Sequence, residues 1–128
     1  FILFISGADT CYTKYGSLSI RTPCCHELAV RILLQCVNSH ANRYSRYVVP
    51  LLSMSIDFYF RLFLLVFDGQ MKAKQSVANL GYVYICSGCQ SYFPQKFGIC
   101  EPTKNNSKFV PSHGPPTPTN RCSNCDGK

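Results

Sequence analysis

The sequence predicts an α/β fold, with a helix and long apolar strands followed by a small zinc-ribbon-like β element. Three observations predict it. Apolar residues recur at helical spacing between Thr22 and Tyr44. Apolar and polar residues alternate with period two between Leu52 and Arg61. Two CxxC pairs, Cys86/Cys89 and Cys122/Cys125, stand beyond them.

Taken in order, Phe1 to Ile5 is an apolar run too short for anything but a strand. It lacks the basic flank and small-residue cleavage site of a signal peptide. Residues 6–19 carry Gly7, Asp9 and Gly16 and read as a turn-rich surface connection. A helix is predicted over 22–44, with Thr22 as N-cap and Pro23 at the first helical position, where its missing N–H costs nothing. Cys25, Leu28, Ala29, Ile32, Leu33, Cys36 and Val37 form its buried face. Glu27 and Arg31 lie one turn apart on the other side. His26-Glu27 has no second His four residues on, which excludes a zinc-protease helix.

Residues 47–67 are apolar enough to raise a membrane span, but Pro50, Asp57 and Arg61 interrupt them. Each charge would cost about 2.5–3.5 kcal/mol at mid-membrane. Leu52, Met54, Ile56, Phe58 and Phe60 alternate instead with Ser53, Ser55, Asp57, Tyr59 and Arg61. Two strands are expected, 47–56 and 59–67, the second apolar on both faces as if buried between layers, with Asp68-Gly69 turning out of it. A polar linker, 69–80, holds Lys72 and Lys74, and a strand at 82–85 leads into the first CxxC.

Each CxxC turn lets two thiolates reach one ion, and two such knuckles complete the four-sulfur shell that structural zinc prefers. Cys86, Cys89, Cys122 and Cys125 are therefore the expected metal ligands, and residues 90–121 form an inserted loop or hairpin. The competing reading is two redox or structural disulfide pairs. His113 stands by as a substitute ligand. The insert is basic, through Lys96, Lys104, Lys108 and Arg121, with Tyr92, Phe93, Phe97 and Phe109 interleaved. That mixture suits looped RNA, where rings stack on bases, and equally a loop whose aromatics pack on the ribbon.

Thirteen Lys and Arg against six Asp and Glu give the 128-residue chain a net charge of +7, which favours a polyanionic partner. Nine cysteines, an odd number without a disulfide framework, point to a reducing compartment. The chain opens on Phe1 and stops soon after the second knuckle, so it reads as a fragment.

The order of signals is that of a known family: Cys11-Tyr-Thr-Lys-Tyr-Gly16, His26-Glu-Leu-Ala-Val-Arg-Ile-Leu-Leu34, Ala41-Asn-Arg-Tyr44, Arg46-Tyr-Val-Val-Pro-Leu-Leu-Ser-Met-Ser-Ile-Asp-Phe-Tyr-Phe-Arg61, then the two knuckles. The sequence resembles the eukaryotic tRNA guanine-26 N2-dimethyltransferases from about Gly7 onward. The resemblance implies that 1–80 is the C-terminal part of a class I, Rossmann-like methyltransferase domain and that 81–128 begins a zinc-bearing C-terminal domain. It implies transfer of methyl groups from S-adenosylmethionine to the N2 of a guanine in tRNA, in the nucleus or a mitochondrion. No membrane association is expected, because Pro50, Asp57 and Arg61 interrupt the apolar stretch.

The chain holds no glycine-rich cofactor loop and no Asp-Pro-aromatic stretch, so the cofactor site is expected upstream and these residues alone are expected to be inactive. Leu65 stands where the family usually has a second arginine. Arg31, Arg43, Arg46, Lys72 and Lys74 are the expected contacts to the RNA backbone, with a solvated face as the alternative role. Asp57, Tyr59 and Arg61 are expected to form a polar cluster beside the active site, with an internal ion pair as the competing explanation. The rival function is a non-catalytic zinc-ribbon module that binds RNA or a protein.

Overall fold

The computed structural model describes residues 7–57, 59–103, 106–112 and 121–127. The strand expected at 1–5, Lys104 and His113 lie outside them. The chain forms two compact units that divide between Ala73 and Lys74.

The first unit begins with a helix where a surface connection was expected. Helix α1 spans Ala8–Tyr15, and the two glycines read as turns are its ends. Gly7 occupies the N-cap, and Gly16 takes the left-handed C-cap conformation at φ 67°, where its N–H donates to the Tyr12 carbonyl at 2.8 Å. Asp9 in the first turn and Lys14 in the last complement the helix dipole. Helix α2 spans Cys25–Asn42, a narrower span than 22–44. Its N-cap is Cys24, not Thr22. The Thr22 carbonyl accepts the Cys25 N–H in a turn, and the Thr22 hydroxyl lies 3.0 Å from Cys24 Sγ, so it is spent before the helix begins. Cys11 of α1 and Ala29 of α2 are the buried centre of this unit, with Tyr15, Ile32 and Phe60 packed around them.

Strands β1 (Arg46–Ile56) and β2 (Tyr59–Asp68) pair antiparallel around a turn that holds Asp57 at φ 43°. Pro50 pairs with Leu64 and Leu52 with Phe63, leaving Leu51 as the extra residue of a bulge. The pairing corrects the expected apolar face. Ile56 opposes Tyr59, while Phe60 opposes Ser55, so Phe60 shares a face with the serines, not with Leu52, Met54 and Ile56. Period-two alternation tracks one face only along an unbroken strand, and the turn resets it. On that serine face Ser55 Oγ lies 3.5 Å from His26 Nδ1 of α2, and the His26 and Phe60 rings are 6.5 Å apart. In β2, Phe60, Leu62 and Leu64 are half-buried, whereas Phe63, Leu65, Val66 and Phe67 are exposed, so the strand is covered on one face here, not two.

Ser45 joins α2 to β1 in the left-handed region, at φ 59°. Its carbonyl accepts the Gly69 N–H at 3.0 Å, which holds the two ends of the hairpin together. An L-residue there costs about 1–2 kcal/mol that glycine does not incur. Ser45→Gly is therefore expected to raise stability by about 1 kcal/mol in urea melts, glycine's greater unfolded-state entropy offsetting part of the gain.

The predicted linker 69–80 is also ordered. Helix α3 spans Gln70–Gln75, and a 3-10 turn follows at Ser76–Asn79. In the second unit β3 (Gly81–Ile85) pairs with β4 (Tyr92–Lys96), and β5 (Gly98–Thr103) with β6 (Asn106–Pro111). The Phe97 N–H donates to the Leu80 carbonyl and the Phe97 carbonyl accepts the Ser112 N–H, stitching the two hairpins together. Glycine is required at Gly81, where a Cβ would stand 2.6 Å from the Gln95 carbonyl oxygen. Among the described residues no helix is long and apolar enough to cross a membrane.

Candidate metal centre

Strand β3 delivers Cys86 to a tight turn, and residues 121–127 make a second turn of the same form. The Gln90 N–H donates to the Cys86 carbonyl at 3.0 Å, and the Asp126 N–H to the Cys122 carbonyl at 2.9 Å. The Cys86 N–H donates to the Ser91 carbonyl at 3.0 Å, and the Cys122 N–H to the Gly127 carbonyl at 2.7 Å. The Gly88 N–H points at Cys86 Sγ and the Asn124 N–H at Cys122 Sγ, both at 3.4 Å. Gln90 and Asp126 turn at φ 62° and 53°. The two knuckles are thus built by the same bonds at the same offsets, and in each the first cysteine is buried and the second exposed.

The four sulfurs lie within 4.8 Å of one another. Cys86 Sγ is 3.6 Å from Cys125 Sγ, and Cys89 Sγ is 3.6 Å from Cys122 Sγ. Zinc–sulfur bonds of about 2.3 Å in a tetrahedron set neighbouring sulfurs about 3.8 Å apart, whereas a disulfide needs about 2.05 Å. All four thiols are free and the short approaches run between knuckles, not within a CxxC pair. The donor set and its spacing fit a four-coordinate structural zinc.

The electrostatics say why a cation suits the site. The backbone N–H groups of Cys89 and Gly88 pull the Cys86 thiol down. The Ser91 hydroxyl and backbone pull Cys89 down to about 6. Cys125 is pushed up to about 12, because the Gly127 N–H that lowers it is outweighed by the crowding of Cys89, Cys86 and Cys122 together with desolvation. Sulfurs this close cannot all ionise without positive charge between them. Elsewhere, burial raises the Cys11 thiol, which suits a packing role.

The spacing of the cysteines announced the four ligands but not Ser91 and Asn124. Asn124 Nδ2 donates to Ser91 Oγ at 2.9 Å, and Ser91 Oγ lies 3.0 Å from Cys89 Sγ. Ser91 stands two places beyond the last cysteine of its CxxC and Asn124 two beyond the first cysteine of its own, so no shared offset signalled them.

The basic residues divide by what already holds them. Arg31 Nε donates to Glu27 at 2.9 Å on α2. Arg46 Nε donates to Asp68 at 2.8 Å across the base of the β1–β2 hairpin. Lys72 Nζ lies 3.2 Å from Tyr47 Oη and 4.8 Å from the ring centroid, with Tyr47 stacked on Phe67 at 5.5 Å. The structure thus gathers Arg46 and Lys72 at the hairpin base, with Arg43 close to Arg46 in the chain. Arg43 and Lys74 have no ion pair among the described residues. Asp57, Tyr59 and Arg61 sit at the hairpin's other end, about 30 Å away along ten residues of strand. Arg61 lies 5.7 Å from the Tyr59 ring centroid, and Asp57 forms no ion pair with it.

A protein-family model described as N2,N2-dimethylguanosine tRNA methyltransferase matches residues 4–128. A Drosophila melanogaster tRNA (guanine(26)-N(2))-dimethyltransferase is 43% identical over 97% of this chain and 22% of its own length. An Arabidopsis thaliana tRNA (guanine(26)-N(2))-dimethyltransferase 1 is 42% identical over 99% of this chain and 21% of its own. The chain therefore spans about a fifth of the length of these curated relatives. Among solved structures, Trm1 from Pyrococcus horikoshii in complex with S-adenosyl-L-methionine superposes with a TM-score of 0.67 and 28% identity, over 81% of this chain and 27% of that one.

Proposed function

Because this chain belongs to the N2,N2-dimethylguanosine tRNA methyltransferase family, we propose that it serves the transfer of methyl groups from S-adenosylmethionine to the exocyclic N2 of guanine 26 in tRNA. The match over residues 4–128 carries the proposal. Its mixed helix and strand content and its likeness to the Pyrococcus horikoshii protein fit an α/β methyltransferase.

The part these residues play is positional. No glycine-rich cofactor loop lies among them, so S-adenosylmethionine is bound by other residues of the family's catalytic domain. The exocyclic amine needs to be aimed at the methyl carbon more than it needs a strong base. We assign Arg43, Arg46, Lys72, Lys74 and Arg31 to the RNA backbone and Asp57, Tyr59 and Arg61 to the flank of the active site. Cys86, Cys89, Cys122 and Cys125 would hold zinc, which supplies a fixed cross-link and no open coordination position for chemistry. A site of four reduced thiols is supported in a reducing compartment, the nucleus or a mitochondrion.

The test is a chimera in which this chain replaces the matching stretch of the Drosophila relative. It is expected to form N2,N2-dimethylguanosine in tRNA with S-adenosylmethionine as donor. A chimera that folds and binds the cofactor but leaves guanine 26 unmodified overturns the proposal. Arg43, unencumbered by a carboxylate, is expected to contribute most clearly to tRNA binding. In the chimera, Arg43→Ala is expected to lower the slope of log K against log salt by about one phosphate contact's worth, roughly 0.7–0.9, in filter-binding titrations.

A further inference from the structure

The two knuckles are copies in their backbone bonds, and they differ in two side chains near the sulfurs, with Asn124 in the second where the first has Gly88 and Ser91 in the first where the second has Gly127. Ser91 closes the first knuckle, and Gly127, without a side chain, occupies the same place in the second. The Ser91 oxygen accepts from Asn124 Nδ2 at 2.9 Å, so its own proton is free to point at Cys89 Sγ, 3.0 Å away. A hydroxyl can accept and donate at once, and a metal-bound thiolate only accepts. A directed chain of hydrogen bonds therefore runs from Asn124 in the second knuckle, through Ser91, to Cys89 in the first.

We propose that Ser91 and Asn124 are positioning residues for the metal: together they aim the Cys89 sulfur and latch the second knuckle onto the first. The inference rests on the reading of the four cysteines as a zinc site. All four sulfurs have a backbone N–H of their own knuckle beside them, but Cys86 and Cys122 are also buried, which fixes their side chains without such help. Cys89 and Cys125 are exposed, and among the described residues only Cys89 has a hydroxyl beside it. The latch makes the site asymmetric in use although it is symmetric in backbone.

The test is competition for zinc between the 128-residue chain and a chromophoric chelator. Each variant is first shown at saturating zinc to recover the wild-type circular dichroism, which separates weak binding from failure to fold. Ser91→Ala and Asn124→Ala are each expected to weaken zinc binding 10- to 100-fold, the range usual for groups that orient a metal ligand. The double variant is expected to be no weaker than the worse single one, because both break the same chain of bonds. Ser91→Thr, which keeps the hydroxyl, is expected to restore near wild-type affinity, and Ser123→Ala to leave it unchanged. Single variants that hold zinc as tightly as wild type, or losses that multiply in the double variant, overturn the latch. A wild-type chain that takes up no zinc overturns the metal reading itself.

Discussion

Cys86→Ser is expected to empty the chain of zinc and to melt its second unit while the first stays folded. The reason is the size of the term removed. Zinc binding to small four-ligand sites is worth about 10–16 kcal/mol at neutral pH, and all of it is folding free energy when the site does not exist in the unfolded chain. The stability of a whole domain is about 5–15 kcal/mol. Among the described residues of 74–128 there is little else to set against the loss, since Cys86 and Cys122 are themselves among the few buried side chains there. Plasma emission spectroscopy should give one zinc per wild-type chain and none for Cys86→Ser or Cys122→Ser. Amide exchange should lose protection at Tyr82 to Ile85 and Tyr92 to Lys96, and keep it in α2 and the β1–β2 hairpin. Cys100→Ser is the control, because Cys100 is an exposed residue of β5 outside the cluster. Acidification should act like the mutations: protons compete with the ion for sulfur, so affinity falls as pH falls. A serine variant that retains one zinc and its amide protection would exclude Cys86 as a ligand.

The second large effect is expected in the first unit. Ala29 is 1% exposed and packs on Cys11, which is 0% exposed, between α1 and α2. Ala29→Leu adds three carbons where there is no room. Overpacking of this kind usually costs about 1–3 kcal/mol. In a unit of this size each kcal/mol lowers the melting temperature by about 4–8 °C. A drop of about 10 °C in a calorimetric scan is therefore expected, with α1 displaced first, because Cys11 has no other buried neighbour among the described residues. A variant that melts within a degree or two of wild type would mean that α1 is not held by this contact.

The sequence was most informative where one physical pattern acted alone. The apolar positions from Cys25 to Val37 announce α2, because helical spacing admits no other reading over that length, although Ala29 is its one buried residue. The four cysteines announce their cluster because thiols at that spacing have few other uses. It was least informative where one residue type has two structural uses. Gly7 and Gly16 look like turn residues and are the ends of an eight-residue helix. Ile56 and Phe60 look like one face and are two, because the turn at Asp57 lies between them and only the register reveals which strand positions share a side. The basic residues show the same limit: nothing in the order of residues tells that Arg46 is held by Asp68 and Lys72 by Tyr47 while Arg43 is not. Pairing of that kind depends on folding, not on composition.

The unpaired Leu51 has a bearing on how the hairpin tolerates changes in length. Pro50 and Leu52 face consecutive residues of the opposite strand, Leu64 and Phe63, so a chain lacking Leu51 alone would keep every cross-strand neighbour. Loss of any single β1 residue between Leu52 and Ile56 would instead swap inside for outside along part of the ladder. Here, at Leu51, the hairpin can absorb an indel, and cross-strand nuclear Overhauser effects that survive deletion of Leu51 but not of Ser53 would show it.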